Sequence, residues 1–226
     1  MAERMQPIPE VLRERAEYAP FSHRVGDWEI AIPQSPNTIN GVFPMAWVWQ
    51  RLNEFNQAFP WAKYREMAIA TTKQAPPLIW KKADGGLKDW LDVLAAGGVA
   101  CRSCNFEVLL DLRLWWQLAD GSYGESVFPK VGQLSFSPSF DRLSVVIGTF
   151  TIWLNAFVRE VTVSEEQEAP LFEVFDAGRK NRARLRASLM KWEKLTGGQI
   201  TNWSSEILEE GMERCGFAEE AKIVYY

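Results

Sequence analysis

The sequence predicts an α+β fold, in which an antiparallel β-sheet has helices packed before and after it. Three observations lead to this class. Apolar residues recur at helical spacing before residue 60, at every second position from Phe106 to Leu118, and again at helical spacing after residue 178. Consecutive strands between helical segments are typical of α+β domains, whereas alternating strands and helices would indicate a parallel sheet.

The helices expected before the sheet are defined by apolar stripes. The first covers residues 44–59 and stops at Pro60, because proline cannot continue a helix. A second helix is predicted from Trp61 to about Thr72. A third is predicted over residues 87–96, before the Gly97-Gly98 stop. The stripe of the first helix comprises Met45, Val48, Leu52, Phe55 and Phe59, and that of the third comprises Leu87, Trp90, Leu91 and Leu94.

The clearest strand is predicted from Phe106 to Leu118. One parity is apolar throughout, whereas the other carries polar residues such as Asp111 and Arg113, as on a half-buried strand. Asp120-Gly121 then predicts a hairpin turn, although a longer loop through Gly124 fits equally well. Further strands are expected at 27–32, 133–137 and 142–154, and a short helix from Val11 to Tyr18.

Charge changes in blocks over the C-terminal third. Residues 159–176 carry one arginine against five glutamates and one aspartate, and residues 206–220 carry six glutamates against one arginine. Between them, residues 178–194 carry seven basic groups against one glutamate. Opposite charges within a Debye length attract, so we expect the acidic blocks to neutralise the central one. Phosphate or nucleic-acid binding by the basic segment 179–194 is the alternative.

Two helices are predicted in this third. The central block forms one, which Gly197-Gly198 closes. A last helix is expected to start at Ser204 or Ser205 and to end near Gly216. The inward-facing residues of the central helix are Leu185, Leu189 and Trp192.

Length and composition indicate one cytoplasmic globular domain over residues 1–226, and a subdivision near residue 160 with a helical C-terminal part stays open. The chain is 47% hydrophobic and 24% charged, as in ordinary soluble proteins. A net charge of −4 argues against a nucleic-acid surface. The N-terminus lacks the apolar stretch of a signal peptide, and the run from Leu143 to Val158 is too short for a membrane span.

Three cysteines, an odd number, give no disulfide framework. Two of them, Cys101 and Cys104, form the motif "CRSC". A zinc site needs four ligands, and only Cys215 and His23 remain, without matching spacing. A redox pair favours a helix N-terminus, whereas this motif leads into a strand. We therefore expect Cys101 and Cys104 to be small buried residues without a chemical role. We expect no metal, no cofactor and no catalytic residue. An enzyme that uses the Cys101 or Cys104 thiol is the alternative.

Two adjacent tryptophans end the predicted strand at residues 106–118. Trp116 shares the apolar parity and is expected in the core. Trp115 falls on the opposite parity, beside Arg113 and Gln117. Its ring is therefore either covered by a helix or exposed as an anchor for a protein partner.

The order of these elements resembles that of bacterial immunity proteins paired with endonuclease-fold toxins in polymorphic toxin and type VI secretion systems. The resemblance covers roughly residues 44–155 and lies in the order and spacing of helices and strands. It does not include "CRSC" or the charged C-terminal third. The segments that carry it are "WVWQRLNEFNQAFPWAKY", "GGLKDWLDVLAAGGV", "LRLWWQLADG" and "RLSVVIGTF".

The resemblance implies a non-enzymatic protein that binds one cognate toxin in the cytoplasm and blocks its active site or substrate groove. It implies a protein partner, with no membrane and no direct contact with nucleic acid. Acidic blocks suit an inhibitor of a nuclease, because carboxylates can replace phosphates against a basic groove. The candidate partner-binding residues are Trp115, Trp116, Asp120, Glu165, Glu166 and Glu168.

Overall fold

A computed structural model describes most of the chain from residue 24 onward. The residues described are 24–33, 42–70, 76–102, 106–117, 122–138, 145–153, 157, 160–162, 172–173, 175–208 and 211–224. The predicted helix from Val11 to Tyr18 and the predicted turn at Asp120-Gly121 lie outside these ranges.

Strands and helices follow one another in a mixed order. The helices are α1 (Met45–Ala58), α2 (Leu87–Ala96) and α3 (Phe175–Thr196), with a short 3₁₀ helix at Lys82–Asp84. The longer strands are β1 (Gly26–Pro33), β3 (Ala62–Ile69), β4 (Leu78–Lys81), β6 (Phe106–Gln117), β7 (Tyr123–Pro138), β8 (Val145–Ile152) and β11 (Gln199–Ser204). The short strands are β2 (Val42–Pro44), β5 (Ala100–Arg102), β9 (Glu160–Thr162), β10 (Phe172–Glu173), β12 (Met212–Glu213), β13 (Gly216–Phe217) and β14 (Lys222–Val224).

The seven longer strands form one sheet in the order β11-β1-β8-β7-β6-β3-β4. Every neighbouring pair in this sheet is antiparallel. The short strands form three small sheets, β10-β9-β14, β12-β13 and β2-β5. The seven-stranded antiparallel sheet and the three helices confirm the predicted α+β class. Along the chain the helices lie between strands of this sheet, since β1 precedes α1 and β11 follows α3. No helix in the described part of the chain is long and apolar enough to cross a membrane.

One face of the sheet carries the core, under α1 and α3. Phe55 of α1 and Phe59, which follows the end of this helix, stack on each other and pack against Phe150 of β8, with ring centroids 5.3 and 4.7 Å from it. Trp192 of α3 meets both rings edge-on. Gly148 makes room for this packing, because a Cβ there would lie 3.2 Å from the Trp192 ring. The predicted inward positions on α1 and α3 are therefore confirmed.

The predicted helix from Trp61 to Thr72 is wrong over its described residues, because Ala62–Ile69 form β3. This strand pairs with β6 on one side and with β4 on the other. Met67 and Ile69 alternate into the core, whereas Lys63 and Arg65 are exposed. Ala, Lys, Arg, Glu and Met favour helix intrinsically, but the two ladders of backbone hydrogen bonds to β4 and β6 outweigh that local preference.

The predicted helix from Ser204 or Ser205 to near Gly216 is also wrong over the residues that the structure describes. Strand β11 continues through Ser204, and β12 and β13 then pair as a tight hairpin. The Ser205 hydroxyl does accept the backbone N–H groups of Ile207 and Leu208, as a helix cap would. The Glu206 carboxylate binds the Arg24 side chain and backbone. These long-range contacts fix the segment as a turn.

Asp27 is a buried aspartate on β1, directly opposite Thr151 of β8. Burial raises the pKa of its carboxyl group, although a hydrogen bond from Thr151 Oγ1 and the Arg24 charge act in the opposite direction. The folded chain therefore holds this proton more tightly than the unfolded chain does. The stability that this bound proton adds is fully present below the ordinary pKa of aspartate. It is lost as the pH rises through the raised pKa of Asp27.

We therefore expect Asp27→Asn to change the pH dependence of stability. The free energy of unfolding of the variant, relative to the wild type, should increase as pH rises from about 3 to about 7. Urea denaturation at several pH values measures this difference. A constant difference across the range would contradict the raised pKa.

Candidate functional site

The β6–β7 hairpin extends beyond its neighbours in the sheet. Strand β3 pairs with β6 only as far as Leu112, and β8 pairs with β7 only from Gly132 onward. Past these points, residues 113–117 and 123–127 form ladder pairs only with one another among the described residues. We call this two-stranded projection the distal ribbon.

Helix α3 holds the distal ribbon in place. The Asn181 side chain accepts the Trp115 N–H at 2.9 Å and donates to the Trp115 carbonyl at 3.0 Å. Arg184 donates to the Arg113 carbonyl at 3.0 Å and forms an ion pair with Glu125. Asn181 is fully buried, so its two hydrogen bonds replace the missing strand neighbour and are not exposed to competition from water.

The two faces of the ribbon differ in character. Leu112, Leu114 and Trp116 point into the core, and Trp116 is only 7% exposed. The ladder pairs place Arg113 opposite Val127, Trp115 opposite Glu125 and Gln117 opposite Tyr123. Residues directly opposite each other share a face. The described side chains of the outer face, here called the ribbon face, are Arg113, Trp115, Tyr123, Glu125 and Val127.

Trp115 lies partly under α3, so the first of the two predicted alternatives holds in part. Its ring is half-buried, and Lys180 Nζ lies 3.9 Å from the ring centroid. Tyr123 and Val127 on the same face are each 38% exposed. Trp116 packs edge-on against Phe128 in the core, as predicted, and its burial gives no support to a role as a partner anchor.

The other four candidate residues all fall outside the described ranges. These are Asp120, Glu165, Glu166 and Glu168. In the last acidic block, Glu206 and Glu213 are engaged within the molecule by Arg24 and Arg186.

Several basic side chains of α3 form ion pairs or hydrogen bonds within the molecule. Arg179 pairs with Asp176 at 3.6 Å, and Arg186 pairs with Glu213, so each flanking acidic block contributes one partner as expected. The Arg182 guanidinium is buried and donates to the Phe157 carbonyl. The geometry therefore favours charge pairing over phosphate binding at this helix.

The cysteines show no site among the described residues. Cys101 lies in β5 opposite Phe43 of β2, and Cys104 falls outside the described ranges. Burial raises the pKa of the Cys215 thiol, which disfavours the reactive thiolate. Over the described part of the chain, no group of three or more His, Cys, Asp or Glu side chains could hold a metal ion.

Sequence reasoning selected Trp115 and placed Arg113 beside it, but missed Tyr123 and Val127 as its neighbours. The register between β6 and β7 brings them together, and the turn that sets this register could not be chosen from the sequence. Strict alternation along β6 was nevertheless a signal that Arg113 and Trp115 share the outer face.

Comparisons of the chain with protein-family models, with curated proteins and with solved structures gave no significant match.

Proposed function

We propose that this protein is an immunity-type binding protein, which neutralises one cognate toxin in the cytoplasm by covering its active site or substrate groove. A nuclease is the expected toxin class. The protein acts by forming a stable one-to-one complex and catalyses no reaction.

The ribbon face is the observation that supports this proposal. It combines Trp115, Tyr123 and Arg113, which are the residue types most enriched at energetic hot spots of protein interfaces. Val127 adds exposed apolar surface on the same face.

The fixed backbone of the ribbon suits tight binding. The hydrogen bonds from Asn181 and Arg184 hold the strand in one conformation before a partner arrives. A partner that binds this surface therefore loses little conformational entropy of the ribbon. The acidic segments at 159–176 and 206–220 would raise the rate of encounter with the basic groove of a nuclease.

Co-expression tests the proposed function. The protein encoded beside this one would be produced in a bacterial host with and without it, and growth and co-purification would be measured. We expect growth inhibition that this protein relieves, and a one-to-one complex by light scattering. A toxic neighbour that is neither bound nor relieved, or a harmless one, would remove the proposal.

A further inference from the structure

A basic cleft lies beside β6, where β3, β4 and β7 approach the 3₁₀ helix. It has a volume of about 470 Å³. This value falls within the range of about 300–1,000 Å³ that is usual for small-molecule sites. The lining residues are Arg65, Glu66, Lys81, Lys82, Ala83 and Lys130.

Irregular backbone on three adjacent strands builds this cleft. The β3–β6 register shifts between Tyr64 and Glu66, so that Arg65 leaves the ladder. The β6–β7 register shifts between Leu110 and Leu112, so that Asp111 faces the three residues 129–131. Bulges redirect side chains and are common beside binding sites.

Asp111 contacts both Arg65 and Lys130 through its carboxylate. It is only 5% exposed, and its carboxylate accepts the Lys130 backbone N–H at 3.1 Å and lies 3.4 Å from the Arg65 guanidinium. Lys130 has a φ of +56°, and it is the one non-glycine residue with positive φ among those described. Such a conformation costs free energy, and it often persists where function requires it.

The charge of the cleft is opposite to that of the whole chain. Three lysines and one arginine line it against the single carboxylate of Glu66, whereas the chain carries −4. Glu66 lies 4.0 Å from Lys130 Nζ and therefore offsets part of one positive charge.

We propose that this cleft binds a small polyphosphate, either inorganic or the phosphate tail of a nucleotide. Ammonium groups act as point charges that suit phosphate oxygens, and the one arginine fork is already directed at Asp111. No aromatic side chain is among the lining residues, so the site offers no ring on which a base could stack. The phosphate groups are therefore the part that the cleft recognises.

Calorimetric titration with sodium tripolyphosphate at low ionic strength tests the site. Each unit charge near the ligand changes affinity by about fivefold. The double variant Lys81→Gln/Lys82→Gln should therefore bind at least about tenfold more weakly than the wild type. Glu66→Gln should bind a few-fold more tightly, because it removes a repulsive charge.

The matched control is Lys191→Gln/Lys194→Gln, which removes the same charge from exposed positions on α3. Its affinity should equal that of the wild type. Equal losses in both double variants, or no binding by the wild type, would overturn the proposal.

ATP that binds as tightly as tripolyphosphate would support recognition of the phosphate tail. Equal affinity for citrate would refute a preference for phosphate, and a tighter-binding oligonucleotide would indicate a nucleic-acid site instead.

Lys130→Gly separates binding from stability. Glycine adopts positive φ without steric cost, so the thermal midpoint should stay the same or rise. Tripolyphosphate affinity should fall about fivefold with the lost charge. A lower midpoint together with unchanged affinity would contradict a binding role for the lysine. The cleft and the ribbon face use different residues, so failure here would leave the proposed function untouched.

Discussion

Trp115→Ala and Tyr123→Ala are each expected to weaken toxin binding by about thirtyfold or more. The reason is that truncation of a hot-spot residue costs about 2 kcal/mol or more, and each tenfold change in affinity corresponds to about 1.4 kcal/mol. Trp115 contributes from a half-buried position, where Lys180 and α3 already fix its ring. Calorimetry or surface plasmon resonance with an inactive toxin variant would measure the dissociation constants.

The chain offers a matched control for this experiment. Met190 on α3 and Val93 on α2 are exposed apolar residues outside the ribbon face, at 54% and 69% exposure. Met190→Ala/Val93→Ala should leave the dissociation constant unchanged. A triple variant tests the whole face, namely Arg113→Ala/Tyr123→Ala/Val127→Ala. If it keeps wild-type affinity and a wild-type circular dichroism spectrum, the toxin binds elsewhere.

Trp192→Ala should have the largest effect on stability, with a loss of about 3–5 kcal/mol in the free energy of unfolding. The ring is fully buried and lies against Phe55, Phe59 and the space above Gly148, so its removal leaves a cavity between α3 and the sheet. Urea denaturation followed by circular dichroism would measure the loss.

Trp192→Phe is the matching conservative variant. The indole N–H of Trp192 has no hydrogen-bond partner within the described residues, so phenylalanine removes a buried donor at no cost in hydrogen bonds. Its smaller ring keeps part of the contacts with Phe55 and Phe59 and leaves a smaller cavity, so the loss in the free energy of unfolding should be clearly smaller than in Trp192→Ala. An unchanged free energy of unfolding in Trp192→Ala would show that the packing of this ring is not what stabilises α3 on the sheet.

The ribbon face and the basic cleft adjoin along β6. Asp111, Arg113 and Trp115 alternate with Leu112 and Leu114 on the same strand, so all three lie on the parity that faces away from the core. Strand β6 therefore carries the buried Asp111, which contacts Arg65 and Lys130 of the cleft, and Arg113 and Trp115 of the ribbon face on the same side. The strict alternation that buries the core also gives this surface its character.

Sequence reasoning was reliable where one local pattern determined the outcome. The stripe on α1, the inward residues of α3 and the alternation on β6 each repeat over two or more turns or pairs, and each was confirmed. The helix predicted for residues 61–72 was wrong, because these residues tolerate either conformation and their partners on β6 lie more than thirty-five residues away in the chain. The helix predicted for residues 204–216 was also wrong because of long-range contacts. The ion pair with Arg24 and the β12–β13 hairpin determine the conformation of this segment.

The sequence by itself determined the fold class, the residues of the core face and the position of Trp115 off that face. These follow from the periods of helices and strands, which local spacing records directly. The tertiary structure alone decided which residues surround Trp115 and which cations meet at the cleft. Strand register and bulges bring together Arg65, Lys82 and Lys130, which lie far apart in the chain. Register depends on long-range pairing and turn geometry, so no local pattern encodes it.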